Sequence, residues 1–295
     1  MRLSPADAVY QIACFVILVF AFVTVFFPLA FCVASSLSSA EQINAGRVFL
    51  WPRGFSLNAY KSAFEYPLLM TGFLNSCFYV FFGTIVSVTL ILLAAYPLSR
   101  KDLFLRKFFL YFFVITMFFS GGLVPNYLLV RDLNLMGSRG SQVLAFMFSC
   151  YNMIIVKSYF QSSLPQSLLD AAHIDGCGDV RFFFIIALPL SVPVIAVMIL
   201  YNAVGIWNSY FKGLMYLLRL DTYNFQMILQ QILFVANLPP EIMESMNPER
   251  VRQIYDIMQE IRYTVLVIGA LPMMVLYPFI QKYFIRGIMI GSLKE

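Results

Sequence analysis

Apolar residues gather in six long blocks, at roughly Ala8–Val33, Phe73–Tyr96, Phe108–Leu129, Gln142–Phe160, Phe182–Ile206 and Tyr263–Phe284. A helix needs about 20 mainly apolar residues to cross the hydrocarbon of a bilayer. Lipid offers no partner to backbone N–H and C=O groups, so each crossing must be helical. The pattern predicts an all-α polytopic membrane protein with six transmembrane helices, a single membrane domain over 1–295. No block carries Asp or Glu in its interior, and Lys157, near the end of the fourth, can snorkel to the interface.

Besides the connection 34–72, two are long: 161–181 and 207–262. In the second, "LDTYNFQMILQQILFV" is apolar but interrupted by Asp221, Asn224, Gln226, Gln230 and Gln231. It predicts an amphipathic helix at the outer interface, not a seventh span. "MNPERVRQIYDIMQEIR" predicts another helix, with Asn247 as cap and Pro248 at its first position. Val251, Ile254, Met258 and Ile261 share one face, and the helix is expected to continue into the sixth span.

Composition agrees with a lipid environment: 61% of the 295 residues are hydrophobic and 12% are charged, against about 25% charged in a soluble domain. The net charge of +5 reads as loop charge that sets orientation, not as a footprint for nucleic acid. Arg100, Lys101, Arg106 and Lys107 crowd one short loop, and Lys282, Arg286 and Lys294 follow the last span. Positive loops stay inside, so both termini and the loop 161–181 are expected in the cytoplasm. The first apolar run outlasts the roughly 7–15 residues of a signal sequence. Bulky Phe31 in "LAFC" spoils a lipoprotein cleavage box, so a retained anchor is expected. Cys14, Cys32, Cys77, Cys150 and Cys177 are scattered singly, as small buried hydrophobes would be.

The chemistry the sequence lacks narrows the function. Lys61-Ser62 and Lys157-Ser158 are not preceded by the glycines of a phosphate loop. One histidine, with no HExxH and no GxSxG, leaves neither a zinc centre nor a serine triad. This disfavours a polytopic lipid or glycan enzyme. Spans without carboxylates disfavour a self-sufficient secondary carrier or channel, because proton- and sodium-coupled carriers keep ionisable groups at membrane depth. Energy for uphill transport would have to enter from outside the membrane.

The stretch "LLDAAHIDGCGDVRFFFIIALPL", 168–190, breaks the apolar rule between the fourth and fifth blocks. Leu168, Leu169, Ala172 and, more loosely, His173 can share a face of a short helix. Gly176 can end that helix at positive φ, and Asp179 can cap the next. Leu188-Pro189 and Pro193 predict a bend, since each proline removes a backbone hydrogen bond. Asp170, Ala171, Ala172, Gly176, Ile186, Leu188 and Pro189 fall in register with the E-A-A…G…I-x-L-P signature of binding-protein-dependent ABC importer permeases, with Asp170 in place of Glu. "WNSYFKGLMYLL" and "YFIRGIMIGSLKE" resemble the carbohydrate-uptake branch, and within it the smaller permease of maltose-type importers (MalG-like). "SGGLVPNYLLVRDLNLMGS" resembles the Gram-positive group that imports complex oligosaccharides.

The resemblance implies a type I ABC importer permease of the bacterial cell membrane, embedded in lipid, that is not itself an enzyme. It implies a heterodimer with a second permease, two ATPase subunits carrying the ATP and Mg, and an extracellular substrate-binding lipoprotein, with no cofactor bound by this chain. Residues 168–176 would be the cytoplasmic coupling helix, presenting Leu168, Leu169, Asp170, Ala171, Ala172, His173 and Gly176 to an ATPase. Leu188, Pro189 and Pro193 would form a hinge that turns its movement into pore opening. The tail 287–295 would reach between the ATPases or simply hold positive charge inside. The outer loop 207–262 would meet the binding protein or form a simple lid over the helices. Asn75, Tyr151, Asn152 and Asn202, polar positions inside spans, are candidates to line a sugar path or else to bond helix to helix.

Overall fold

The computed structural model describes residues 5–237 and 248–292. Within them the regular structure is helical, and Ser38 and Phe55 form an isolated antiparallel bridge. Fifteen helices are labelled here: α1 Pro5–Ser36, α2 Ala40–Asn44, α3 Asn58–Glu65, α4 Pro67–Ser99, α5 Arg106–Phe118, α6 Leu123–Asp132, α7 Arg139–Leu144, α8 Cys150–Ser163, α9 Gln166–Ile174, α10 Asp179–Phe182, α11 Leu188–Leu190, α12 Val192–Trp207, α13 Tyr210–Tyr216, α14 Phe225–Ala236 and α15 Pro248–Ser292. A π turn, Phe183–Ala187, joins α10 to α11.

Two compact units are built from interleaved segments, 1–69 with 229–271 and 70–228 with 272–295. In the first, α1 stands with its lipid-type side chains outward, Phe31 meets Tyr263 edge-on at 5.6 Å, and the Ser62 hydroxyl donates to Glu260 at 3.2 Å. The second unit holds the larger core. Val88, Ile91, Ala95, Met153, Val156 and Met198 are among its buried members, drawn from α4, α8 and α12.

Three helices are long and apolar enough to cross a bilayer unbroken: Val9–Ser36, Pro67–Ser99 and Ile257–Tyr283. Two bent pairs bring the number to five among the described residues, if each pair is one crossing. The third predicted span is such a pair. α5 and α6 meet at 111°, because Ser120-Gly121-Gly122 interrupts the helix and Gly122 adopts φ +83°. The fourth predicted span, 142–160, is not one helix either. The chain leaves α7 at Ala145 and restarts at Ser149, whose hydroxyl accepts from Asn152 N–H. The 14 residues of α8 reach about 21 Å at 1.5 Å per residue, less than the roughly 30 Å hydrocarbon core.

The segment 220–235 also departs from expectation. It is a short 3₁₀ turn followed by α14, whose Phe225, Met227, Ile228 and Ile232 are buried in protein while Gln230 and Gln231 are exposed. The amphipathic pattern was correct, but the apolar face packs against protein and not against lipid. α15 starts at Pro248 and runs 45 residues through the sixth span, with Met258 and Ile261 buried. Asn247, the expected cap, lies outside the described residues. Of the tail, 287–292 continue α15, and Leu293–Glu295 lie outside the described residues.

Candidate functional site

The polar hairpin of the sequence is a corner in the second unit. After the last turn of α8, Pro165 takes an extended conformation and α9 begins. Leu169 and Ala172, three residues apart, turn inward and are buried, and half-buried Leu168 packs beside them. Beneath lies an aromatic knot. Tyr96 at the end of α4 meets Phe160 of α8 at 5.8 Å, Phe183 at 4.9 Å and Phe182 of α10 at 6.4 Å. The opposite face of α9 carries exposed Asp170, Ala171 and Ile174, the last 87% exposed, and His173 is exposed at the edge of the buried stripe. Ala171 and Ile174 are the apolar members of that exposed face.

α9 ends in a Schellman motif. Cys177 N–H donates to Ala172 C=O at 2.8 Å and Gly176 N–H to His173 C=O at 3.0 Å, with Gly176 at φ +78°. This is the residue-by-residue pattern that satisfies the last carbonyls of a helix, and it needs positive φ at the Gly176 position. α10 then starts with Gly178, not Asp179, as N-cap. The Asp179 carboxylate leaves the helix end and points sideways, 3.0 Å from Arg100 Nη1 and 3.2 Å from His173 Nε2. Arg100, just past α4, also grips Asp102 through Nε at 3.0 Å and Nη2 at 2.7 Å, and donates to the Tyr96 hydroxyl at 3.2 Å. The Arg100 hydrogen bond holds the Asp102 carboxyl below the usual carboxylate range.

Beyond this corner the chain is sharply bent. Asp179–Leu190 and α12 meet at 78°, and the break falls on Ser191, between Pro189 and Pro193. Ser191 is fully buried, at φ −104° and ψ 12°. The sequence located the two prolines but missed Ser191 and the π turn before it. A small polar residue flanked at two positions by prolines was the available signal.

Placement alters several expected roles. Leu169 and Ala172, assigned to a partner-facing surface, face this chain's own core, because a helix of this length can bury only one stripe. Ala171 remains on the outer face. The substrate-path set does not converge. Asn75 is buried, donating to Asp221 C=O at 2.8 Å and Tyr223 C=O at 3.0 Å, and accepting from Arg139 at 3.1 Å. Asn202 accepts from the Ser87 hydroxyl and donates to Met198 C=O, both at 2.8 Å. Both side chains are occupied in bonds within the protein, each with one partner on another helix, Arg139 for Asn75 and Ser87 for Asn202. Asn152 sits at the start of α8, and Tyr151 is exposed. None of the four lines the apolar cavity of about 410 Å³ formed by Val80, Thr84, Val88, Ile199, Ala203, Leu276 and neighbours.

The segment "WNSYFKGLMYLL" is pinned from outside its own helix. Gln142 donates to the Ser209 hydroxyl at 2.6 Å, and Asn224 to Ser209 C=O at 2.6 Å. Lys212 donates to Ala145 C=O at 2.7 Å and lies 3.6 Å from the centroid of the Phe146 ring. The cation thus satisfies the end of α7, and burial pushes its pKa down. Gly213 lets α13 sit this close: a Cβ there would lie 2.8 Å from Asn224 Nδ2 and 2.9 Å from Met227 Sδ. Replacing Gly213 by leucine is expected to lower the yield of folded protein and its melting temperature in detergent, by the roughly 1–3 kcal/mol typical of overpacking. Asn75→Leu should destabilise by a similar amount through its two orphaned carbonyls. A wild-type melting curve for both variants would refute this account of how the segment is pinned.

The described residues thus form a helical chain with membrane-length apolar helices, in which a short exposed helix feeds a sharply bent pair. Residues 87–290 match the family described as "Binding-protein-dependent transport system inner membrane component", and the chain belongs to that family. It is 37% identical over 283 residues to the "Polygalacturonan/rhamnogalacturonan transport system permease protein YtcP" of Bacillus subtilis (strain 168), covering 94% of this chain and 95% of that one. It is 35% identical over 267 residues to "Protein LplC" of the same organism, covering 90% and 88%. Among solved structures it superposes, at TM-score 0.86 and 28% identity over 96% of this chain and 99% of the other, on a chain from the crystal structure of a bacterial ABC transporter involved in import of the acidic polysaccharide alginate.

Proposed function

We propose that the chain is one of two permease subunits of an ATP-driven importer of carbohydrate, with oligosaccharides as cargo. It pairs with a second permease, two cytoplasmic ATPases that hold the ATP and Mg, and an extracellular binding lipoprotein. This chain holds no cofactor of its own, and both termini are cytoplasmic. The observation that carries this reading is the corner at 166–191: a helix with one buried stripe and an exposed Ile174, closed by Gly176, leading into a bend at Ser191. The outer face of α9, Asp170, Ala171, His173 and Ile174, docks on an ATPase. Leu168, Leu169 and Ala172 fix that face to the core, and Gly176 sets the angle towards α10. Movement of α9 then reaches Leu188, Pro189 and Pro193, where the fifth span can flex. The similarity to a polygalacturonan/rhamnogalacturonan permease and to an alginate importer makes fragments of acidic polysaccharides the first cargo to test.

The test is uptake of such fragments into vesicles holding this chain, its partner permease and the ATPases, with binding protein outside and ATP inside. Uptake is expected only when all components are present. Accumulation against a gradient by this chain alone would overturn the proposal.

A further inference from the structure

The link from α9 to α10 is an open joint. Gly176 and Gly178 flank Cys177, and a Cβ on either glycine would meet nothing within 4 Å. A push on α9 carried only by this joint would be partly absorbed in it. The polar contacts around Asp179 bypass the joint. His173, on the last turn of α9, and Asp179, on the first turn of α10, face each other across it at 3.2 Å. Arg100, at the end of α4, holds Asp179 from the third side at 3.0 Å. Each nitrogen of the guanidinium is engaged: Nε and Nη2 by Asp102, Nη1 by Asp179 and Tyr96. The Arg100 side chain is 11% exposed, whereas Asp102 and Asp179 are each 62% exposed. The arginine is therefore the inner, fixed member, and the carboxylates close over it. A planar, forked donor is the side chain suited to holding two carboxylates and a hydroxyl in one geometry, which a lysine could not reproduce.

We propose that Arg100 is a positioning residue that clamps the corner to the end of α4, so that displacement of α9 moves α4 and the start of the fifth span as one body. This rests on α9 being the ATPase-docking helix. The clamp centres on Arg100 and shares only His173 with the docking face; Asp170, Ala171 and Ile174 take no part in it.

The test uses the assembled transporter carrying Arg100→Ala, Arg100→Lys, Asp179→Asn, or Arg100→Ala with Asp179→Asn. Three quantities are read: ATPase subunits retained on purification, ATP hydrolysis, and cargo imported per ATP. Retention and hydrolysis are expected to stay near wild type. Cargo per ATP should fall about tenfold in Arg100→Ala, in keeping with the loss of charged hydrogen bonds, and recover only in part in Arg100→Lys. The double variant should be no worse than the worse single one, as for two ends of one interaction. Unchanged cargo per ATP in the double variant, fully additive losses, or loss of the ATPases would each overturn the clamp. Should Arg100→Ala not insert, Asp179→Asn alters only an exposed carboxylate and decides the matter. Ile174→Asp, run alongside, tests the docking helix itself: ATPases retained at wild-type level there would remove that reading independently of Arg100.

Discussion

Valine at position 176 is expected to abolish import while leaving the chain in the membrane at normal abundance. The space around Gly176 is open, so the substitution makes no clash, and its whole cost lies in the backbone. Left-handed φ costs an L-residue about 1–2 kcal/mol, and more when the side chain is β-branched. The cheapest relief is to unwind the last turn of α9, which gives up the bonds from Gly176 N–H and Cys177 N–H. That turn carries Ala171, Ala172 and Ile174, so the docking face loses its shape while Leu168, Leu169 and the spans stay in place. Gly176→Asn is the control, since asparagine tolerates this region, and should keep most of the activity. Asp170→Arg attacks the same face without touching the backbone. It removes the bond from Gln166, reverses the exposed charge, and should also stop import. Import assays, immunoblots of membrane fractions and ATPase retention measure the set. Wild-type import in Gly176→Val at equal abundance would refute the role of this corner.

The corner was readable because its determinants are local. Gly176 is required by one dihedral angle, and Pro189 and Pro193 by missing donors. The long apolar runs behind α1, α4 and α15 were equally plain. What the sequence hid depends on distant partners. "LAFMFS", 144–149, is apolar enough to pass for the middle of a span, yet the helix stops there. Its end is satisfied by Lys212, 67 residues onward, and no local window contains that lysine. Asn75 resembled a pore residue because a polar group inside a span must bond to something, and nothing nearby in sequence named Asp221 and Tyr223 as its partners. The inward turn of Ala172 follows from which stripe of α9 meets Tyr96 and Phe160. The alanine pair alone could not choose between Ala171 and Ala172. Asp179 looked like a cap for the same reason: its actual partner, Arg100, lies 79 residues earlier.

Straightening the fifth span should cost as much as disabling the corner, and it should be visible as a distance. Pro189 and Pro193 deprive the helix of two donors on either side of Ser191, and the Pro193 ring also clashes with a straight path past residue 189. With alanine at both positions the i→i−4 ladder can run through Ser191, whose N–H now bonds only three residues back, to Leu188 at 3.0 Å. Alanine is also the strongest helix former, so propensity favours the continuous form. From the 1.5 Å rise per residue, the separation of the two ends of a span bent by 78° should lengthen by about 10 Å if it straightens. Spin labels at exposed Val180 and Gly205 would report this by pulsed electron resonance in the assembled transporter. Pro189→Ala with Pro193→Ala is expected to give the longer distance, to keep the ATPases bound because α9 is untouched, and to hydrolyse ATP without importing cargo. The single variants should be milder, since either remaining proline still interrupts the ladder. An unchanged distance in the double variant would mean that packing around buried Ser191, not the prolines, sets the bend. A longer distance with normal import would mean that the bend takes no part in opening the path.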